Sequence, residues 1–197
     1  MPRTKQRTPE LRDHVRAVAV EVLAAEGPAG FTARGVAARA GTSVPAIYEL
    51  FGDKGGLLRE VFFEGFRMLR KHLSDVPETP DPLADLSALM QSYRRFVHAN
   101  PLLSELMFSR PFTDFAPGPT ERRAGAAVRT FIVARVHRCT EATLLHGNDT
   151  DIAHVLVALT QGMAAAENAR RLGTTRESID RRWHLALTAT LTGLSPK

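Results

Sequence analysis

The sequence predicts an all-α protein built from about nine helices, and three observations carry that prediction. Apolar residues recur at i, i+3, i+4 and i+7 along most of the chain. No stretch alternates apolar and polar residues over a strand's length, and no Asn-Gly or Asp-Gly pair marks a hairpin. Glycine, proline and capping residues then divide the periodic stretches into short helices first and longer ones later.

The first helix carries Val15, Val18, Ala19, Val22 and Leu23 on one stripe and ends at Gly27–Gly30. Thr32 is placed to cap the second, and Gly41 to end it. Ser43 caps a third, with Pro45 tolerated in its first turn. Asp53 caps a fourth, running to about Leu73, whose stripe is Leu58, Val61, Phe62, Gly65, Phe66 and Leu69. Ser74 to Pro82 holds Pro77, Pro80 and Pro82 and reads as a rigid connector, which divides the chain into domains 1–73 and 74–197. Helices follow over Leu83–Ala99 and Leu102–Phe108. Pro111–Pro119 is a second loop. Long helices then cover about Thr120–Leu145, Thr150–Leu172 and Arg176–Leu194. Val128, Phe131, Ile132, Val136 and Cys139 stripe the first of these. Ile152, Val155, Leu156, Leu159 and Met163 stripe the second, and Ile179, Trp183, Leu187 and Leu191 the third.

Composition narrows the function classes. The chain has 197 residues, 44% hydrophobic and 24% charged, enough to bury a core without covalent staples and too apolar for disorder. A net charge of +5 favours a polyanionic partner without requiring one. A single cysteine, Cys139, excludes an internal disulfide framework. The polar, basic start resembles no signal peptide and no long apolar run is present, so a cytoplasmic protein without membrane association is expected.

The informative stretch is Thr32 to Leu58. Two short helices flank Gly41-Thr42-Ser43, the spacing of a helix-turn-helix. Ala37 and Ala40 are small where the helices cross, and Val36, Ile47 and Phe51 fill the space between them. A recognition helix lays its N-terminal end in the major groove; here that end is Ser43, Val44, Pro45 and Ala46. It holds no Arg or Lys and carries Glu49, so base reading would rest on apolar contacts and hydroxyls. Positive charge lies around it. Arg3 to Arg16 contains five basic residues (Arg3, Lys5, Arg7, Arg12, Arg16) against two acidic ones (Glu10, Asp13). Arg3, Lys5 and Arg7 form an arm suited to phosphates or the minor groove, and Arg34 and Lys54 flank the unit.

The pattern Thr32-x-x-x-Val36-Ala37-x-x-Ala40-Gly41-x-Ser43-x-x-x-Ile47-Tyr48-x-x-Phe51-x-x-Lys54-x-x-Leu57 resembles the TetR family signature. The resemblance spans about Arg12 to Leu69. It implies that Tyr48 and Lys54 contact phosphates, that Thr32 anchors the second helix on the DNA backbone, and that Arg34 and Ser43–Ala46 face bases, with Thr42 a further DNA-binding candidate beside them. Three features depart from the usual pattern: the Gly55-Gly56 pair, Leu50 and Thr42. In the second half, Asn100-Pro101-Leu102, Leu106-Met107-Phe108 and Gln161-Gly162 are similar to one C-terminal subfamily, which implies its architecture.

A lone helix-turn-helix makes few contacts, so a homodimer is expected, with two recognition helices about 34 Å apart on a palindromic double-stranded operator. The last two helices are the expected interface, with Leu159, Met163, Ala166, Ile179, Trp183, Leu187 and Leu191 as its candidates. Phe62, Phe66, Phe96, Met107, Phe108 and Phe131 are candidates to line a pocket for a small apolar or amphipathic effector. Phe112 and Phe115 sit in the Pro-rich loop, where they would cover its entrance. The seven histidines show no ligand spacing, no catalytic motif appears, and neither a metal nor an organic cofactor is expected. The sequence therefore reads as a ligand-released repressor. An activator of the same fold is the alternative, with an all-helical enzyme or a protein-binding adaptor behind it.

Overall fold

The computed structural model describes residues 8–109 and 118–196. Among them are nine helices and no strand. These are α1 (Pro9–Gly30), α2 (Ala33–Arg39), α3 (Val44–Phe51), α4 (Lys54–Ser74), α5 (Pro82–Ala99), α6 (Pro101–Phe108), α7 (Pro119–Glu141), α8 (Asp149–Asn168) and α9 (Arg176–Leu194). The arm residues Arg3, Lys5 and Arg7, and Phe112 and Phe115 of the Pro-rich loop, lie outside the described residues. No described helix is long and apolar enough to cross a membrane.

Helix starts fall where the capping side chains put them. Thr8, Thr32, Ser43, Asn148 and Thr175 each accept a backbone N–H of their own first turn. Asp53 does the same for α4, accepting from the Gly56 N–H at 2.6 Å. Helix ends differ from expectation in two places. The helices expected to reach Leu145 and Leu172 stop at Glu141 and Asn168. Thr143 and Arg170 take left-handed conformations there, both with φ of 57°. Each opens a Schellman turn. Leu144 N–H donates to Cys139 C=O at 2.9 Å, and Arg171 N–H to Ala166 C=O at 2.8 Å. Non-glycine residues rarely adopt this conformation. In both cases the capping bonds offset the strain.

Packing divides the chain into two compact units. The first takes residues up to Arg67 and Asn100–Ala124: α1, α2, α3, most of α4, α6 and the start of α7. Val15, Ala19, Leu23, Phe31, Val36, Ile47 and Leu57 are fully buried in it. There α6 packs on α1, and its Met107 lies so close to Gly65 of α4 that a methyl group at Gly65 would sit 2.6 Å from the sulfur.

The second unit takes Met68–Ala99 and Gly125–Lys197, where α5 packs on α8 and α8 on α9. A buried ionic cluster joins those three helices. Arg94 of α5 donates from Nε and Nη2 to the two Glu167 oxygens of α8, each at 2.8 Å. Trp183 of α9 donates its indole N–H to Glu167 at 2.7 Å. Arg94 also pairs with Asp180 at 2.8 Å and lies over the Trp183 ring. Burial alone would raise the Glu167 carboxyl, but the bonds from Arg94 and Trp183 outweigh it and hold the group below its ordinary value.

The connector after α4 is held by α7 rather than by its prolines alone. Arg135 donates to the carbonyls of Val76 at 2.7 Å and Pro77 at 3.1 Å. Arg138 donates to the Thr79 carbonyl at 2.6 Å and to Asp85 at 2.8 Å. The Thr79 N–H and hydroxyl both donate to Asp85, which with the Arg138 pair holds that carboxyl at about 2.

Candidate nucleic-acid interface

The short helices α2 and α3 cross within the first unit. Gly41, with φ of 61°, makes the break between them possible. The turn is closed by Thr42 N–H donating to Ala37 C=O at 2.9 Å and Gly41 N–H to Ala38 C=O at 3.2 Å. Val36, Ala37, Ala40, Ile47 and Phe51 are all buried at the crossing. One side of α3 is thereby committed to the protein interior, and the other is presented outward.

That outward side carries most of the expected contacts. Ser43 and Pro45 are exposed, and Val44 and Ala46 are half-buried. Tyr48 is 45% exposed, a large value for an aromatic side chain on a helix so well buried elsewhere. Thr32, Arg34 and Lys54 are exposed as well. The Ser43 and Thr32 oxygens accept from Ala46 N–H at 3.3 Å and Gly35 N–H at 3.0 Å. Each hydroxyl still has its own proton to donate to a phosphate oxygen. Thr42 differs: its hydroxyl oxygen is buried and makes no hydrogen bond, so it faces inward from the turn.

Two of the five basic residues near the N-terminus are also turned inward. Arg12 donates to the Leu50 carbonyl at 2.5 Å, pairs with Glu60, and lies 4.8 Å over the Phe51 ring. Arg16 pairs with Asp13 at 2.6 Å, Glu64 at 3.1 Å and Glu60 at 3.5 Å. These arginines fasten α1 to α4 and to the last turn of the recognition helix, a positioning role the charge count did not reveal. Its sequence signal was present: Arg12 and Arg16 are four residues apart, as are Glu60 and Glu64. Replacing Arg12 by alanine is expected to weaken DNA binding about tenfold or more, since a small misplacement of α3 affects every groove contact. Melting should change little, because the pair is partly exposed. Titration of a labelled operator checks the first expectation and circular dichroism the second.

The effector candidates divide between the units. Phe62, Phe66, Met107 and Phe108 belong to the first, with ring centroids 4.9 Å apart for Phe62–Phe66 and 5.8 Å for Phe66–Phe108. Phe96 and Phe131 belong to the second. There Phe96 packs beside His72, and the Phe131 ring is covered by Arg70 at 3.7 Å and Arg135 at 5.2 Å.

The interface candidates divide by exposure. Leu159, Met163, Ala166 and Ile179 are half-buried and reachable by a partner. Trp183, Leu187 and Leu191 are 0%, 3% and 8% exposed and spent inside the protomer. This corrects the sequence expectation for those three. The stripe they form is apolar because it covers α8 and the ionic cluster. The outward apolar residues are instead Val155, 51% exposed, and Leu185, 67% exposed. Gly162 and Gly193 open onto unoccupied space.

Comparison with known proteins agrees with this geometry. Residues 15–61 match the model of bacterial regulatory proteins of the tetR family, and residues 86–190 match that of the tetracyclin repressor-like C-terminal domain. A protein of unknown function from Rhodococcus sp. RHA1 superposes with a TM-score of 0.82 at 27% identity, covering 98% of this chain and 100% of its own. A putative TetR-family transcriptional regulator from Rhodococcus sp. has a TM-score of 0.72 at 20% identity, covering 92% and 99%. A structure described as the molecular basis for control of antibiotic production by bacterial hormones has a TM-score of 0.71 at 20% identity, covering 96% and 100%. No curated protein matches the chain. With family models matching both its helix-turn-helix and its C-terminal helices, the chain belongs to the TetR family of DNA-binding transcriptional regulators.

Proposed function

We propose that the chain is a repressor, held as a homodimer on a palindromic operator and released by a small apolar or amphipathic ligand. The observation that carries the reading is Tyr48. It stands 45% exposed on a helix whose opposite side, Ile47 and Phe51, is buried. In this reading residues 1–73 are the DNA reader and residues 74–197 the effector and dimerisation domain. Ser43, Val44, Pro45 and Ala46 meet base edges with Arg34, while Thr42 shapes the turn behind them. Tyr48, Lys54 and Thr32 hold phosphates, and Arg3, Lys5 and Arg7 follow the backbone beside them.

Dimerisation in this reading uses the outward sides of α8 and α9. Val155, Leu159, Met163 and Ala166 lie along one side of α8, and Leu185 stands out from α9. Small residues there, Gly162 and Ala166, favour close approach of a second copy. Ligand response would reach the reader through α4, which continues from the helix-turn-helix into the second unit. A ligand shifts that equilibrium only by its differential affinity for the two states.

The test is a gel shift on a palindrome from the adjoining promoter. Tyr48→Ala should lower affinity by about tenfold or more, the loss of a phosphate hydrogen bond and its packing, with folding and dimerisation intact. Unchanged affinity in a folded, dimeric variant would overturn the mapping.

A further inference from the structure

We propose a second small-molecule site on this protein, a groove between α7 and α8 that takes a short-chain carboxylate. A cavity of about 240 Å³ lies there, with Ala126 and Val133 from α7 and Ala153 and Val157 from α8 as its apolar surface. Arg129 and His154 line the same cavity and are both exposed. Its lining residues recur at i, i+3, i+4 and i+7 on both helices, completed by the hydroxyl-bearing Thr130 and Thr150. Two outward stripes of an α-helix pair thus form one continuous trough.

The charges select the occupant. Arg135 and Arg138 of α7 are engaged with the connector, whereas Arg129 makes no ion pair or hydrogen bond with any described residue. Of the two acidic residues in the first turn of α8, Asp149 is bonded to His137 at 2.8 Å and Thr140 at 2.6 Å, and Asp151 is not among the residues that line the groove. A guanidinium over an apolar floor binds a carboxylate through paired charge-assisted bonds, with the imidazole and threonine hydroxyls as further donors. The groove is smaller than the space a drug-sized ligand needs, which suits a short-chain acid.

This groove is distinct from the face proposed for dimerisation. At 3.6 residues per turn, the stripe of Thr150, Ala153, His154 and Val157 lies roughly half a turn around α8 from Val155, Leu159, Gly162 and Ala166. The far side of α7 holds the connector that follows α4 through Arg135 and Arg138, so displacement of α7 by a ligand reaches the end of α4. That regulatory consequence rests on the repressor reading; binding itself does not.

The test is isothermal calorimetry on the full-length protein without DNA, using hexanoate, hexan-1-ol and hexylammonium. Saturable hexanoate binding, one per protomer, is expected, with hexan-1-ol about tenfold weaker or more and hexylammonium silent. R129Q should weaken hexanoate about tenfold or more, and A126L should abolish binding by filling the trough, while melting and dimerisation stay unchanged. Absence of saturable hexanoate binding would overturn the proposal. So would wild-type binding in both variants, which would put the acid elsewhere, or conversion of R129Q to a monomer, which would make the groove an interface between copies. None of these outcomes bears on operator binding, which the Tyr48 variant reads separately.

Discussion

Glu167→Ala is expected to lower the melting temperature by roughly 6–20 °C, corresponding to about 3–5 kcal/mol for a chain of this size. The carboxylate receives two bonds from Arg94 and one from Trp183. Removing it leaves the buried guanidinium with Asp180 as its remaining ion-pair partner among the described residues. The indole N–H loses its acceptor in a site where Trp183 has no exposure at all. The penalty is that of the stranded donors rather than the net worth of the ion pair. Replacing Arg94 and Glu167 together by apolar residues of similar volume, R94M/E167L, is therefore expected to recover the part of the loss due to the unpaired guanidinium, while the Trp183 N–H still lacks an acceptor. Thermal melts of the wild type, both single variants and the double variant check this as a cycle. Additive single effects would show that the cluster does not act as a unit.

Gly55→Ala and Gly56→Ala are expected to have opposite signs. Alanine in place of glycine within a helix ordinarily stabilises by up to about 1 kcal/mol. A methyl at Gly55 meets only the Asp53 carboxylate and the tip of Arg59, both able to move, so stabilisation is expected there. At Gly56 the same methyl would be driven into the Phe51 carbonyl, with the carbonyl carbon 2.9 Å away. Backbone cannot swing aside as a side-chain tip can. The joint between α3 and α4 must open, at a cost of about 1–3 kcal/mol. Because that joint sets the direction of the recognition helix, operator affinity should fall with stability in the Gly56 variant and stay unchanged in the Gly55 variant. The glycine pair, a departure from the family pattern, is thus required at its second position.

Elements set by local chemistry were readable from the sequence. Thr32, Ser43, Asp53 and Gly41 each act through groups within a few residues, and each stands where its residue type places it. The crossing of α2 and α3 was likewise legible, because the small and large apolar residues that fill it fall in one short stretch. The ends of α7 and α8 were not, because Thr143 and Arg170 carry no glycine-like signal. Pairings between distant positions were not either. Arg94 and Glu167 are 73 residues apart, and only packing brings them together. The stripe of Trp183, Leu187 and Leu191 shows a more general ambiguity. Periodicity identifies a covered face, but a face covered by its own chain and one covered by a second copy have the same pattern. Exposure of Leu185 and burial of Trp183 separate the two.

In the proposed reading, the Ser43 end of α3 enters a groove of duplex DNA while surrounding hydroxyls and cations hold its phosphates. The most direct measurement is equilibrium affinity for a palindromic operator across a salt series. With about six phosphates contacted per dimer, affinity is expected to fall roughly a thousandfold between 50 and 200 mM salt, and Lys54→Ala should flatten the slope by about one contact per protomer. An affinity indifferent to salt, or a slope untouched by Lys54→Ala, would mean that α3 and its surrounding cations do not hold DNA in this way.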